Sequence, residues 1–131
     1  MSARTKARKR ALDVLYASEV RRESPVEALD RAIKDGEGPT NDYTATLVRG
    51  VVAEQSTIDD LLGTASEGWS LDRMPAVDRN VLRIGVYELL YVDDVPDAVA
   101  VSEAMNLVRE LSTDDSPAFV NGVLGAILRT R

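Results

Sequence analysis

The chain has 131 residues, and its 44% hydrophobic content is enough for one modest core but not for two independent ones. It contains neither cysteine nor histidine, which excludes disulfides, the usual zinc ligand sets, and catalysis by serine-histidine or cysteine-histidine pairs. No apolar run has the length of a signal peptide core or a membrane span. We therefore expect one domain over 1–131, soluble and cytoplasmic, with no metal and no cofactor.

Charge is distributed unevenly along the chain. The formal net charge is -6, yet five of the 16 basic residues lie among the first ten positions: Arg4, Lys6, Arg8, Lys9 and Arg10. All 22 acidic residues come later, starting with Asp13. A basic end on an acidic chain either binds an anionic partner such as a nucleic acid or is simply a solvated terminus. Composition alone does not decide between these two interpretations.

Apolar residues recur at three- and four-residue steps along most of the chain, which is typical of amphipathic helices. We predict helices over about 5–22, 25–34, 41–64 and 76–92, one from after Pro96 to about 112, and a last one begun by Ser116 as N-cap and Pro117. Ser24 to Glu27 matches a capping box at the start of the second helix. No segment alternates with period two. The predicted fold class is therefore all-α, a single-domain bundle of six or seven helices.

Three residues stand out from this helical pattern. Trp69, the only tryptophan, lies between turn signals and is expected to fill a packing site rather than to form a ligand platform. Gly122 lies inside the last predicted helix, where glycine costs about 1 kcal/mol relative to alanine, and we expect close helix packing to offset that cost. Arg83 lies in the apolar helix 76–92 and is expected to form an ion pair with a carboxylate such as Glu88 or Glu54.

Three motifs, taken together, resemble one family. They are the basic start followed by ALDVLY at 11–16, VLRIGVYEL at 81–89, and FVNGVL at 119–124 after an Asp-Ser pair. Their order and spacing along all 131 residues are similar to the NusB family of transcription antitermination factors. The same fold resembles the front domain of certain ribosomal-RNA cytosine methyltransferases. Because the chain stops at Arg131, we expect no catalytic domain to follow.

The resemblance implies a factor that binds boxA-type single-stranded RNA of nascent ribosomal transcripts together with NusE, a small-subunit ribosomal protein. In such a complex RNA polymerase reads through terminators. The resemblance leaves open whether the chain is a monomer or a homodimer. It assigns RNA contacts to the basic start of the first helix and to the aromatic of the third motif, which are Arg4, Lys6, Arg8, Lys9, Arg10 and Phe119. It assigns NusE contacts to Tyr16, Asp78 and Asp115.

Physical chemistry supports these roles but also offers plainer ones. Clustered cations neutralise phosphates and release counterions, and arginine or phenylalanine faces stack on bases. Alternatively, Phe119 belongs to the core and Tyr16 is a half-buried tyrosine. Asp78 and Asp115 each lie at a predicted helix start, where an acid is favourable for dipole reasons alone.

Two positions depart from the family pattern in ways that weaken the RNA surface. Ala118 stands where some members place a basic residue beside the aromatic, and Thr5 interrupts the basic run. The main alternative function is a protein-protein interaction module with no RNA role. An enzyme is the weakest interpretation, since the carboxylates form no paired catalytic motif and no metal-ligand signature.

Overall fold

In a computed structural model that describes residues 2–131, the chain forms seven α-helices and one short 3-10 helix. The helices are α1 (Ala3–Arg21), α2 (Pro25–Lys34), α3 (Asp42–Ala53), α4 (Gln55–Ala65), α5 (Ala76–Tyr91), α6 (Asp97–Leu111) and α7 (Ser116–Thr130), with the 3-10 helix at Leu71–Arg73. None of the described residues forms a strand. The predicted all-α class is confirmed.

The chain divides into two compact units, one ending at Ala53 and the other spanning Glu54–Arg131. In the first unit, α1 and α2 both pack on α3 and on each other. In the second unit, α5 packs against α4, α6 and α7. The single domain over 1–131 stays a prediction, and each unit is described below by itself.

The first unit is organised by local capping signals and one apolar face per helix. Ser2 caps α1 by accepting a hydrogen bond from the backbone N–H of Thr5 at 3.1 Å. The predicted capping residue Ser24 accepts from the N–H of Glu27 at 3.3 Å, with Pro25 opening α2. The core of this unit is built from buried aliphatic side chains, among them Ala11, Leu12, Leu15, Leu29, Leu47, Val48 and Val51.

The predicted third helix over 41–64 is wrong in its continuity. The structure has two helices there, α3 and α4, separated by Glu54, whose φ of -106° and ψ of 13° depart from helical values. No proline or glycine marks this break. The apolar period continues on both sides of it, so periodicity does not report the change.

The second unit is built around α5, most of whose side chains are buried, as expected from the many apolar residues of the helix predicted over 76–92. Gly85 is the glycine of α5 that faces packed neighbours, because a Cβ there would lie 3.4 Å from both Leu124 methyl carbons and 3.8 Å from Ala104 Cβ. The packing role expected for Gly122 is wrong, since a Cβ at that position would meet nothing within 4 Å.

Two further expectations change in detail. Arg83 forms a bidentate, partly buried ion pair, but with Asp59 of α4, at 2.9 Å to Oδ1 and 3.0 Å to Oδ2. The start of α7 lies one residue earlier than predicted, because Asp115 is its N-cap and Ser116 its first residue. The Ser116 hydroxyl instead accepts a hydrogen bond from the N–H of Thr113 at 3.3 Å. Residue spacing alone predicts neither the ion pair of Arg83 with Asp59 nor the place of Asp115 as the N-cap of α7.

Candidate nucleic-acid interface

The basic residues of α1 fall into two pairs with different environments. Residues four apart lie on one helix face, so Arg4 pairs with Arg8 and Lys6 pairs with Arg10. The first pair faces Tyr43 of α3, with the guanidinium carbons of Arg4 and Arg8 at 4.2 and 5.7 Å from its ring centroid. The basic run is therefore not one uniform surface.

Arg8 is buried, with only 3% of its surface exposed. Its guanidinium is desolvated against an aromatic face, an arrangement in which a cation–π contact is worth about 2 kcal/mol. Phosphate contact requires solvent access, so the geometry favours a structural role for Arg8 over the predicted RNA contact. Arg4 on the same face is half-buried.

Lys6 and Arg10 are exposed and line an open groove of about 460 Å3 in the first unit. The facing wall is the segment 38–41 with Thr44 of α3. Two hydrogen bonds hold this wall to α1: Asn41 Nδ2 donates to the Ala3 carbonyl at 3.3 Å, and Thr44 Oγ1 donates to the Ala7 carbonyl at 3.0 Å. The residues that line the groove include two cations and no carboxylate.

Lys9, the remaining predicted cation, is half-buried and already engaged in an interaction within the chain. It is therefore less accessible than Lys6 and Arg10. The strongest candidate for phosphate binding in the first unit is the groove of Lys6 and Arg10.

In the second unit, Phe119 of α7 is half-buried and touches Trp69 edge to face, with ring centroids 6.3 Å apart and the rings inclined by 65°. Trp69 is 55% exposed, so the packing role expected for it is wrong. The ring follows the turn after α4, in which Glu67 and Gly68 both have positive φ. The exposed indole and the half-buried phenyl ring form an aromatic pair at the surface.

The acidic residues assigned to partner binding have opposite environments. Asp78 is 2% exposed, and its Oδ1 accepts a hydrogen bond from the Ser112 hydroxyl at 2.6 Å. Ser112 Oγ in turn accepts from Ser116 at 3.0 Å. Asp115, at the N-cap of α7, is exposed and lies in the same small groove as Phe119, of about 240 Å3. Only Asp115 presents a free carboxylate to a partner, while Asp78 holds the start of α7.

Tyr16, the third predicted partner residue, is 41% exposed on α1. Its ring therefore remains available on the first unit. The sequence did not predict that Arg4 and Arg8 lie over the ring of Tyr43, nor that Trp69 is exposed. A tyrosine at the start of an amphipathic helix gives no such signal. The turn residues around Trp69 did indicate an exposed loop, but the large apolar indole favoured the prediction of a buried side chain.

Among residues 2–131, no group of three or more acidic side chains is placed to hold a metal ion. No helix in that range is long and apolar enough to cross a membrane.

Comparisons with known proteins agree on one family. The family model described as NusB family matches residues 5–129. A Nocardioides protein named transcription antitermination protein NusB is 76% identical, over the whole of this chain and 97% of its own length. The structure of T. maritima NusB superposes with a TM-score of 0.87 at 35% identity, covering 98% of this chain and 92% of the other. A crystal structure of antitermination factors NusB and NusE in complex with double-stranded RNA matches with a TM-score of 0.83 at 30% identity, over 98% and 97% of the two chains.

Proposed function

Since the chain belongs to the NusB family, we propose that it binds boxA-type single-stranded RNA of nascent ribosomal transcripts together with NusE. In this role it is a non-enzymatic part of an antitermination complex with RNA polymerase and promotes read-through. Nascent bacterial transcripts are cytoplasmic, and so is the proposed activity.

The observation that carries the proposal is the groove of Lys6 and Arg10. Both cations are exposed on a wall free of carboxylates, in a chain whose net charge is -6. The facing backbone is fixed to α1 by the Asn41 and Thr44 hydrogen bonds. A preformed basic groove of this kind suits a phosphate backbone, and it needs little rearrangement to bind one.

We assign NusE contacts to two residues taken separately, Tyr16 in the first unit and Asp115 in the second. Tyr16 offers an exposed ring with a hydroxyl, and Asp115 offers an exposed anion beside the aromatic pair. Asp78 supports the Asp115 contact indirectly, through the hydrogen bonds that fix Ser112 and Ser116 next to Asp115. A carboxylate suits a basic ribosomal protein.

The excess of acidic residues should lower the RNA affinity of the chain. All 22 acidic residues lie outside the basic start, and their summed field repels RNA at low salt. We therefore expect weak RNA binding by the chain alone and tighter binding when the basic partner NusE is present.

The test is fluorescence anisotropy of a labelled boxA-type RNA titrated with the protein, with and without its cognate NusE. The double variant Lys6→Gln/Arg10→Gln should bind about tenfold more weakly or worse, because two charge-assisted contacts are lost. The matched control is Arg21→Gln/Lys34→Gln, which removes one arginine and one lysine that are exposed in the same unit.

Equal affinities for the wild type and both variants would contradict the proposed RNA site. If NusE binding persisted while RNA binding was absent in every combination, the protein-only interaction module would be favoured instead.

A further inference from the structure

A second groove, of about 420 Å3, lies in the second unit between the end of α4 and one face of α7. One wall is the aromatic pair of Trp69 and Phe119, and Arg129 lies at the opposite end. The floor between them is made of the small residues Ala118, Gly122 and Ala126. We call this the α7 groove.

The floor is open because of Gly122. This residue is exposed in the middle of α7, and a Cβ built on it would meet nothing within 4 Å. Glycine is the poorest ordinary residue in a helix interior, and no neighbour in the unit needs the missing side chain. The folded chain itself therefore gives no packing reason for a glycine here.

Arg129 closes the groove with a positive charge. Within residues 2–131 it forms no ion pair, and its guanidinium folds back along α7 to within 3.4 Å of where a Cβ of Gly125 would lie. Gly125 is six residues from Phe119, so the charge lies about 9 Å along the helix axis from the aromatic pair. An arginine in the last turn also suits the helix dipole, but that role does not require the side chain to turn back.

Trp69 is held in place by its backbone. Its N–H donates to the Ser66 carbonyl at 3.3 Å, and its own carbonyl accepts from the Ser66 hydroxyl at 2.6 Å. The edge-to-face contact with Phe119 uses one edge and one face, which leaves ring surface available for stacking. An exposed ring that already contacts Phe119 loses less entropy when a ligand stacks on it than an isolated ring does.

We propose that the α7 groove binds a nucleotide of the single-stranded RNA, with a base against Trp69 and Phe119 and a phosphate at Arg129. This inference rests on the proposed function, in which Phe119 is already an expected RNA contact, and adds Trp69 and Arg129 to the RNA site. Three features favour RNA: stacking surface at one end, an unpaired guanidinium at the other, and a floor low enough for a ribose to approach. Glu67 is the one carboxylate on the rim.

The decisive variant is Gly122→Leu, which fills the floor without removing any group of the folded protein. Its matched control is Gly63→Leu on α4, where a Cβ likewise meets nothing within 4 Å and which does not line the groove. Both substitutions replace an open helical glycine by a better helix former, so both should raise the thermal midpoint. A second pair is Arg129→Gln against Arg109→Gln, an exposed arginine on α6.

RNA affinity is measured by anisotropy with boxA-type RNA, in the presence of NusE. We expect Gly122→Leu to bind about tenfold more weakly, the loss of one stacked base, while Gly63→Leu matches the wild type. Arg129→Gln should weaken binding, and Arg109→Gln should not.

Wild-type affinity for Gly122→Leu, with its thermal midpoint raised, would overturn the inference while leaving the proposed function intact. Loss of NusE affinity without loss of RNA affinity would also overturn it, because the groove would then be a protein contact. If the wild type bound no RNA in any condition, the proposed function would fail first, and the inference with it.

Discussion

Arg8 and Lys6 are two residues apart in one run of cations, yet their side chains lie in opposite environments. Arg8 is buried beside Tyr43, whereas Lys6 is exposed in the groove. The helical period explains the separation, because residues two apart point about 200° away from each other around a helix axis. Which of the two faces is the buried one depends on where α3 packs, and the sequence does not state that.

The burial of Arg8 predicts a stability effect. Arg8→Ala should lower the free energy of unfolding by about 1–3 kcal/mol, because it removes a desolvated cation–π contact and leaves a cavity. Lys6→Ala should change that free energy by less than about 0.5 kcal/mol, as expected for an exposed residue. Urea denaturation of both variants measures the difference. Equal denaturation midpoints would show that Arg8 is not part of the folded core.

Substitutions of the two acidic residues assigned to partner binding, Asp78 and Asp115, should affect different properties of the protein. Asp78→Ala leaves the Ser112 hydroxyl without its charged acceptor and should cost about 1–3 kcal/mol of unfolding free energy. Asp115→Ala should leave stability nearly unchanged and weaken NusE binding, because its carboxylate is exposed. Denaturation and a NusE titration of each variant provide the comparison. The reverse pattern would mean that Asp78 is the contact residue.

At the scale of elements, most helices follow from sequence patterns. Capping at Ser24 and the proline at 25 place the start of α2. The apolar residues spread around the helix predicted over 76–92 indicate a central helix, which is α5. The break at Glu54 does not follow, because an amphipathic period constrains each turn locally and carries no information about the direction of the next helix. Position 54 also lacks the glycine or proline that commonly marks a break.

Glu54, the residue at this break, affects the pKa of Tyr91 at the end of α5, and that pKa can be measured. Burial, and then the charge and hydrogen bonding of Glu54, raise the pKa of Tyr91 above its usual 10.0. A raised folded-state pKa stabilises the fold below the unfolded pKa, and this contribution is lost as pH rises through the folded value.

We therefore expect one of the four tyrosines to titrate later than free tyrosine in an alkaline ultraviolet titration. Glu54→Gln should lower that pKa, since it removes the neighbouring negative charge and keeps a hydrogen-bonding side chain. A titration curve unchanged by Glu54→Gln would contradict the contact. A loss of wild-type stability well below pH 10 would have a cause other than Tyr91, because the contribution of Tyr91 is lost only as pH rises through its raised pKa.

At the scale of the whole molecule, the sequence predicted the all-α class, the family and the uneven charge. It did not predict which cations stay exposed, or that Trp69 lies on the surface. Class and charge depend on composition and period, which are local properties. Exposure depends on which neighbour covers a side chain. Trp69 shows this, because its size favours burial and yet it is 55% exposed.

The separation of cations also changes the expected salt response. Five phosphate contacts would give a log-log slope of about -3.5 for single-stranded RNA, at about -0.7 for each contact. Arg8 is buried, and Arg4 and Lys9 are half-buried and engaged within the chain. Lys6 and Arg10 are therefore the two exposed cations of the basic start, and its expected contribution falls to about -1.4, at about -0.7 for each contact.

The most direct test of the central claim, that Lys6 and Arg10 form a phosphate site, is the salt dependence of RNA affinity for the wild type and for Lys6→Gln/Arg10→Gln, with NusE present throughout. The slope should become shallower by about 1.4 in the variant, because two contacts no longer release counterions. A slope equal to that of the wild type would contradict the claim and place the RNA elsewhere on the molecule.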